Sequence, residues 1–199
     1  MGFGLRRGRF AALLIATVWA LSPAAYGGSS SSPNSTKSAS DFTLPRSVVV
    51  PLSVVSRFFP EVTQEASTGR NLTAAGNPTA TRSVIYATSD GSKKVTITVD
   101  QYRSSSDASS AYQQAVQKSQ SVPRFNPVPV PTLGQRAFAG SVTRGAETHV
   151  GLGVLDDELI VGATLAGYDA ASDNTVKLVG MARMVEAAAK LALGASGSR

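Results

Sequence analysis

The 199-residue sequence predicts an α+β fold, in which helices pack on an antiparallel sheet of about five strands. An alternating apolar pattern on both sides of Asp90-Gly91 indicates a β-hairpin. Three strand-like segments between residues 136 and 166 have short connections, which is typical of an antiparallel meander. Apolar stripes at helical spacing occur in 104–119 and 174–192. The predicted order is α-β-β-α-β-β-β-α.

The first predicted element is a short helix that starts at Pro51 and ends at Pro60. Residues 63–81 are rich in Thr, Ala, Gly and Asn, so we expect an irregular connection there. The hairpin follows, with strands from Arg82 to Thr88 and from Lys94 to Tyr102. Its turn is expected to be of type I′, with positive φ at both central residues. The side chains that face inward from the second strand are Val95, Ile97 and Val99.

The helix predicted at 104–119 carries one apolar stripe and can be capped by Ser105 or Ser106. Residues 122–131 contain four prolines, and such a segment cannot be a central strand. We expect a stiff, extended crossing segment there; proline-rich recognition is the alternative. The last helix, at 174–192, buries Leu178, Met181, Ala182, Val185 and Ala189.

The meander consists of Arg136–Thr143, Glu147–Leu155 and Glu158–Ala166, with turns at Gly145-Ala146 and Asp156-Asp157. Two-residue turns at these places pair Gly140 with Gly151, and Gly151 with Gly162. Three aligned glycines predict a trough without side chains on one face of the sheet. The trough either seats a helix, marks a strongly curved sheet, or binds a flat or extended ligand. The residues of this candidate groove are Phe138, Gly140, His149, Gly151, Ile160, Gly162 and Thr164.

Residues 1–27 have the features of a secretory signal peptide. Three arginines precede a 12-residue apolar run at 10–21, and Ala25-Tyr26-Gly27 provides a cleavage site; an uncleaved anchor is the alternative. Residues 28–42 form a flexible Ser/Gly-rich linker, 43–194 a single α+β domain, and 195–199 a disordered tail. The protein is therefore expected to be exported, either extracellular or in the cell envelope.

The charge is +6, and it falls to about +3 when Arg6, Arg7 and Arg9 leave with the signal. The remaining cations are scattered, which argues against a nucleic-acid partner. The absence of cysteine excludes disulfides, zinc–cysteine sites and an N-terminal acyl anchor. A single histidine, His149, excludes multi-histidine metal sites, and no serine stands in a nucleophile motif. We therefore predict no catalytic residues, no metal and no cofactor. The three acidic residues at 156–158 are interpreted as solvated turn residues.

The layout of residues 48–192 resembles small exported or lipoprotein-like domains of mycobacteria and related actinobacteria. The similarity lies in the Ser/Gly tether, the helix that starts SSDASS, and the stretch TLGQRAFAG that leads to VGLGVLDDELIVGATL. The lipobox cysteine and paired structural cysteines common in such proteins are absent. Many such domains have no assigned function, so the resemblance implies an envelope location and no catalytic residues.

Together these observations predict a non-catalytic binding or interaction module, secreted or envelope-associated. Its expected partner is an envelope lipid, glycan or protein. Contact with a membrane is expected only through the N-terminal segment, if that segment is not cleaved. Two alternatives stay open: a hydrolase whose carboxylates converge only in the fold, and a structural or regulatory protein that acts through protein contacts.

Overall fold

The computed structural model describes residues 44–71, 78–144, 147–169 and 172–194. The predicted signal at 1–27, the linker at 28–42, the tail at 195–199 and the Gly145-Ala146 turn lie outside the described residues. The described chain is a mixed α+β structure, built on one antiparallel sheet of seven strands rather than the expected five. Its helical elements are a 3₁₀ turn at Arg46–Val48, α1 (Leu52–Phe58), α2 (Ser105–Gln120) and α3 (Ser172–Gly194).

The strands pair in the order β1-β2-β3-β7-β6-β5-β4. Strand β3 pairs along its whole length with β7, so the hairpin and the meander join into one sheet. Helix α2 carries the chain from β3 near the centre to β4 at the far edge. The strands are β1 (Gln64–Asn71), β2 (Ala80–Ala87), β3 (Lys94–Gln101), β4 (Phe125–Val128), β5 (Arg136–Arg144), β6 (Glu147–Asp156) and β7 (Leu159–Ala166).

Two of the seven strands lie at the edges, and neither has the pattern of a half-buried strand. The expected irregular connection at 63–81 is wrong, because Gln64–Asn71 pairs with β2 over eight residues. This polar segment is a strand because β2 supplies its backbone partners. The proline segment is extended and not central, as expected, but residues 125–128 also pair with β5 as an edge strand. An edge position tolerates Pro127, which has no N–H to donate to a neighbour.

The first hairpin turns where expected, but the turn differs from the prediction. The strands close at the pair Ala87–Lys94, which leaves six residues in the loop. Only Gly91 has positive φ there, at 69°, so a two-residue type I′ turn is excluded. The Asp90 carboxylate instead accepts a hydrogen bond from the backbone N–H of Ser92 at 3.1 Å, and the Ser92 hydroxyl donates to it at 2.9 Å. Asp90 therefore organises a wider loop.

The main core lies between one face of the sheet and a layer made of α3, α1 and the 3₁₀ turn. Alternate residues of the central strands point into it, as the period-two pattern predicts. Helix α2 packs on the opposite face over Leu155 and Ile160. Its N-cap is Ser104 and not the predicted Ser105 or Ser106, because the Ser104 hydroxyl accepts from the Asp107 N–H at 3.1 Å. The largest fully buried side chains include Tyr86, Tyr102, Phe59, Ile97, Leu152, Leu165, Leu178 and Met181.

Candidate functional site

The seven residues predicted to form a groove all lie on the α2 side of the sheet. Between β5 and β6 the predicted register is correct, because Gly140 pairs with Gly151 and Phe138 with Gly153. Between β6 and β7 it is wrong by two residues. Gly151 pairs with Thr164, and Gly162 lies opposite Gly153. A shift of two residues keeps every side chain on its predicted face but breaks the straight line of three glycines.

The shift arises because Asp156 belongs to β6 and the turn consists of Asp157 and Glu158. Asp157 takes the positive φ of 51° that this tight turn needs. Asp156 is buried and forms an ion pair with Lys190 of α3, so it is not a solvated turn residue. Asp157 and Glu158 are exposed, as expected for a turn.

The observed pairing places six small or apolar residues in one line across β4 to β2. We call this line the glycine–threonine row. Gly140 and Gly151 are neighbours at its centre, and Thr164 and Thr96 continue it across β7 and β3. The full row is Pro127, Gly140, Gly151, Thr164, Thr96 and Ile85.

Two parts of the predicted groove are occupied by other residues. A β-carbon on Gly140 would overlap the ring of Phe125, so this glycine seats an aromatic side chain. The Phe125 ring stacks on Phe138 with centroids 5.5 Å apart and planes 13° apart. Ile160 lies under α2 and packs with Tyr102, so it does not line an open surface. Helix packing and an aromatic pair thus account for both ends of the predicted trough.

The middle of the row combines a backbone without side chains with hydroxyl groups. Both residues pair through their backbones in the sheet, but neither the Thr96 nor the Thr164 hydroxyl forms a side-chain hydrogen bond within the described part of the chain. In the next row down, Ser83 and Thr98 hydrogen-bond to each other at 3.2 Å. Ile85, at the β2 end of the row, is 42% exposed. Thr96 is partly exposed, whereas Thr164 and Gly151 are buried. The row can therefore offer the Thr96 hydroxyl to a ligand, with the Thr164 hydroxyl beside it.

His149 lies one row above Gly151, beside Ala166 of β7. Its Nε2 is 3.6 Å from Oε2 of Glu147, a contact along its own strand. The imidazole is partly exposed and could donate a hydrogen bond to a ligand in the row. Among the described residues, no three His, Cys, Asp or Glu side chains are grouped closely enough to hold a metal ion.

Sequence analysis missed Phe125, Thr96 and Ile85 as members of this surface. The alternation of β3 places Thr96 on the same face as Thr98, but it does not indicate the neighbouring strand. Thr96 and Thr164 are 68 residues apart in the sequence, and only the pairing of β3 with β7 brings them together. Phe125 falls in the proline segment, where pattern gives no face.

A concave surface lies at the end of the sheet where β6 turns into β7. This groove has a volume of about 550 Å³. The Lys190 ammonium forms ion pairs there with Asp156 and, at 3.2 Å, with Glu186, so both carboxylates have a cation. The Asp157 carboxylate accepts from the Gln135 amide at 2.7 Å. The lining residues are Gln101, Ser105, Asp156, Asp157, Glu158, Leu159, Lys190 and Leu193.

None of the described helices is both long enough and apolar enough to cross a bilayer.

No protein-family model matches the chain, and no curated protein is significantly similar to it. Among solved structures, the fold is similar to the extracellular domain of PknH from Mycobacterium tuberculosis. The TM-score is 0.52 at 11% sequence identity, and the match covers 72% of this chain and 93% of that domain. This likeness shows a shared fold.

Proposed function

We propose that the protein is a non-catalytic binding domain that works outside the cytoplasm and holds a hydroxyl-rich ligand of the glycan class on the glycine–threonine row. The observation that carries the proposal is the adjacency of Thr96, Thr164 and Gly151. The hydroxyls of Thr96 and Thr164, which have no side-chain hydrogen bond among the described residues, lie beside Gly151, which has no side chain of its own. Such a surface can donate and accept hydrogen bonds along an extended polar ligand.

The export features of residues 1–27 support a location outside the cytoplasm. The fold that the chain shares with an extracellular mycobacterial domain is compatible with it. The surroundings of His149 support a binding role over catalysis. A serine triad needs a carboxylate and a serine held beside the histidine in a water-poor site. The carboxylate beside His149 is that of Glu147, which is largely exposed and so does not meet this requirement.

Native mass spectrometry of the protein purified from its source organism tests for a retained ligand. We expect an added mass that releases sugar on hydrolysis. Titration of the full chain with cell-wall oligosaccharides, followed by NMR, should shift the amides of Gly151 and Thr164 first. The double variant T96V/T164V should bind at least tenfold more weakly, because two hydrogen bonds are lost.

The matched control is Thr132→Val, which removes an exposed hydroxyl from a loop away from the row. It should bind as the wild type does. Gly151→Val should remove binding, because the new side chain fills the space beside Thr164. A large loss of stability in this variant, with no effect of T96V/T164V on any titration, would show that the row only packs the fold. Retention of a lipid or a protein instead of a sugar would overturn the glycan assignment.

A further inference from the structure

The outward side of α3 is apolar along its centre, which is unusual for a helix that faces solvent. Val176 is 69% exposed, Leu191 76% and Met184 38%. At 100° per residue these three positions lie within one quarter of the helix circumference, opposite the buried residues Leu178 and Val185. Gly180 and Ala187 fall between them. The stripe is about 22 Å long, at 1.5 Å per residue.

Helix α1 widens this stripe. The ring of Phe58 lies against Gly180, where its Cε1 is 3.0 Å from the position that a β-carbon would occupy. Phe58 is only half-buried, so part of the ring stays on the surface beside the stripe. We call Phe58, Val176, Met184, Ala187 and Leu191 the α3 apolar patch. It lies on the opposite side of the molecule from α2 and the glycine–threonine row.

Positive charge borders the α3 apolar patch. Lys177 follows Val176, and Arg183 precedes Met184 on the other side of the stripe. Arg57, the exposed neighbour of Phe58, adds a third cation. None of these three forms an ion pair within the described part of the chain. On the exposed side of α3, the acidic residue is Asp173 in the first turn. Glu186 is turned inward and paired with Lys190.

We propose that the α3 apolar patch is a docking surface for an anionic lipid membrane, on which α3 lies in the plane of the interface. An apolar stripe with lysine and arginine on its flanks is the pattern of an interfacial helix. The cations reach the phosphate groups while the apolar side chains enter the boundary of the acyl chains. Two other occupants of the α3 apolar patch would bring positive charge against its cations. A second copy of the chain would place the same cations against one another, and the apolar run at 10–21 carries Arg6, Arg7 and Arg9 in front of it. Charge therefore favours an anionic membrane over both of them.

Vesicle flotation with the full chain tests this inference. To silence the apolar run at 10–21, every protein carries Leu14→Glu and Val18→Glu. We expect binding to vesicles of equal parts phosphatidylglycerol and phosphatidylcholine, and at least tenfold weaker binding to phosphatidylcholine alone. Each cation near an anionic surface strengthens binding about fivefold, so K177Q/R183Q should weaken it about 25-fold. V176S/L191S should also weaken it, with no change in melting temperature because both side chains are exposed.

The matched control is K118Q/R124Q, which removes two exposed cations from the opposite side of the sheet. Its binding should stay within about twofold of the parent. If K177Q/R183Q and K118Q/R124Q lose the same amount of vesicle binding, only net charge matters, which overturns the proposal. Binding that is equally strong to neutral and to anionic vesicles would show that charge has no role, which overturns it too. A parent that does not float, or one that is a dimer by light scattering and becomes a monomer with V176S/L191S, overturns it as well. The ligand tests on the glycine–threonine row are independent of all these outcomes.

Discussion

The ring of Phe125 lies over Gly140, close enough that no residue with a β-carbon can replace this glycine without moving the ring. The contact joins the edge strand β4 to β5, and it holds Phe125 in its stack with Phe138. An edge strand of four residues that contains Pro127 has few backbone hydrogen bonds of its own. We conclude that the aromatic seat on Gly140 fixes β4 to the sheet.

Gly140→Ala should therefore destabilise the fold by about 1–3 kcal/mol, because the methyl group overpacks the Phe125 ring. Phe125→Leu removes the planar ring, so Gly140→Ala should cost much less in that background. Urea denaturation of the two single variants and the double variant gives the coupling energy. Strictly additive free energies would show that the two residues do not act on each other.

Lys190→Gln should destabilise the fold by about 1–3 kcal/mol. The Asp156 carboxylate is buried at the end of β6, and the Lys190 ammonium is its ion-pair partner. Hydrogen bonding to Asp156 raises the pKa of Lys190, against the opposing effect of burial. In an Asp156→Asn background the buried group is neutral, so Lys190→Gln should have little effect. If Lys190→Gln lowers stability as much in the Asp156→Asn background as in the wild type, the effect comes from packing of the lysine side chain and not from the ion pair.

Asp90→Asn should reduce the dependence of stability on acid pH. Hydrogen bonds from Thr88 and from the backbone and side chain of Ser92 lower the pKa of Asp90 to about 2. A lowered pKa gives stability above the unfolded-state value near 4, and this contribution is lost as the pH falls from about 4 to 2. Melting temperatures of wild type and D90N should therefore differ at pH 6 and converge near pH 2. A constant difference over this range would contradict the assignment.

Four of the five tyrosines should resist ionisation while the protein is folded. Burial raises the pKa of Tyr86 and of Tyr112 to about 12, and it raises the pKa of Tyr102 and Tyr168 as well. A raised pKa gives stability that is complete below pH 10 and is lost as the pH rises through the folded-state values. Phenolate absorbance after a stopped-flow jump to pH 11.5 should therefore appear mainly with the unfolding rate.

The fifth tyrosine, Tyr26, lies outside the described residues, so the variant Tyr26→Phe isolates the other four. In that variant the fast phase should nearly vanish. A fast phase equal to several tyrosines would show that the phenols are open to solvent.

Tyr86→Phe should also lower stability by about 1 kcal/mol at pH 7, because the Tyr86 hydroxyl donates to the carbonyl of Val50.

The sequence by itself determined the elements with strong local patterns. Alternation located β2, β3 and the three strands of the meander, and helical periodicity located α1, α2 and α3, because these residues bury one face whatever their neighbours are. The pair Gly140–Gly151 also followed from loop length alone. The composition excluded cysteine chemistry without reference to any fold.

Only the tertiary structure decided what depends on pairing between distant segments. Strand β1 has no apolar alternation and is a strand because β2 lies beside it. Asp156 extends β6, and its side chain meets Lys190, which follows 34 residues later on α3; this context shifted the β6–β7 register. Thr96 joined Thr164 and Gly151 because β3 pairs with β7. Local patterns show on which face of the sheet a side chain lies. Its neighbours on that face are determined by contacts between segments that are far apart in the sequence, which a local pattern does not contain.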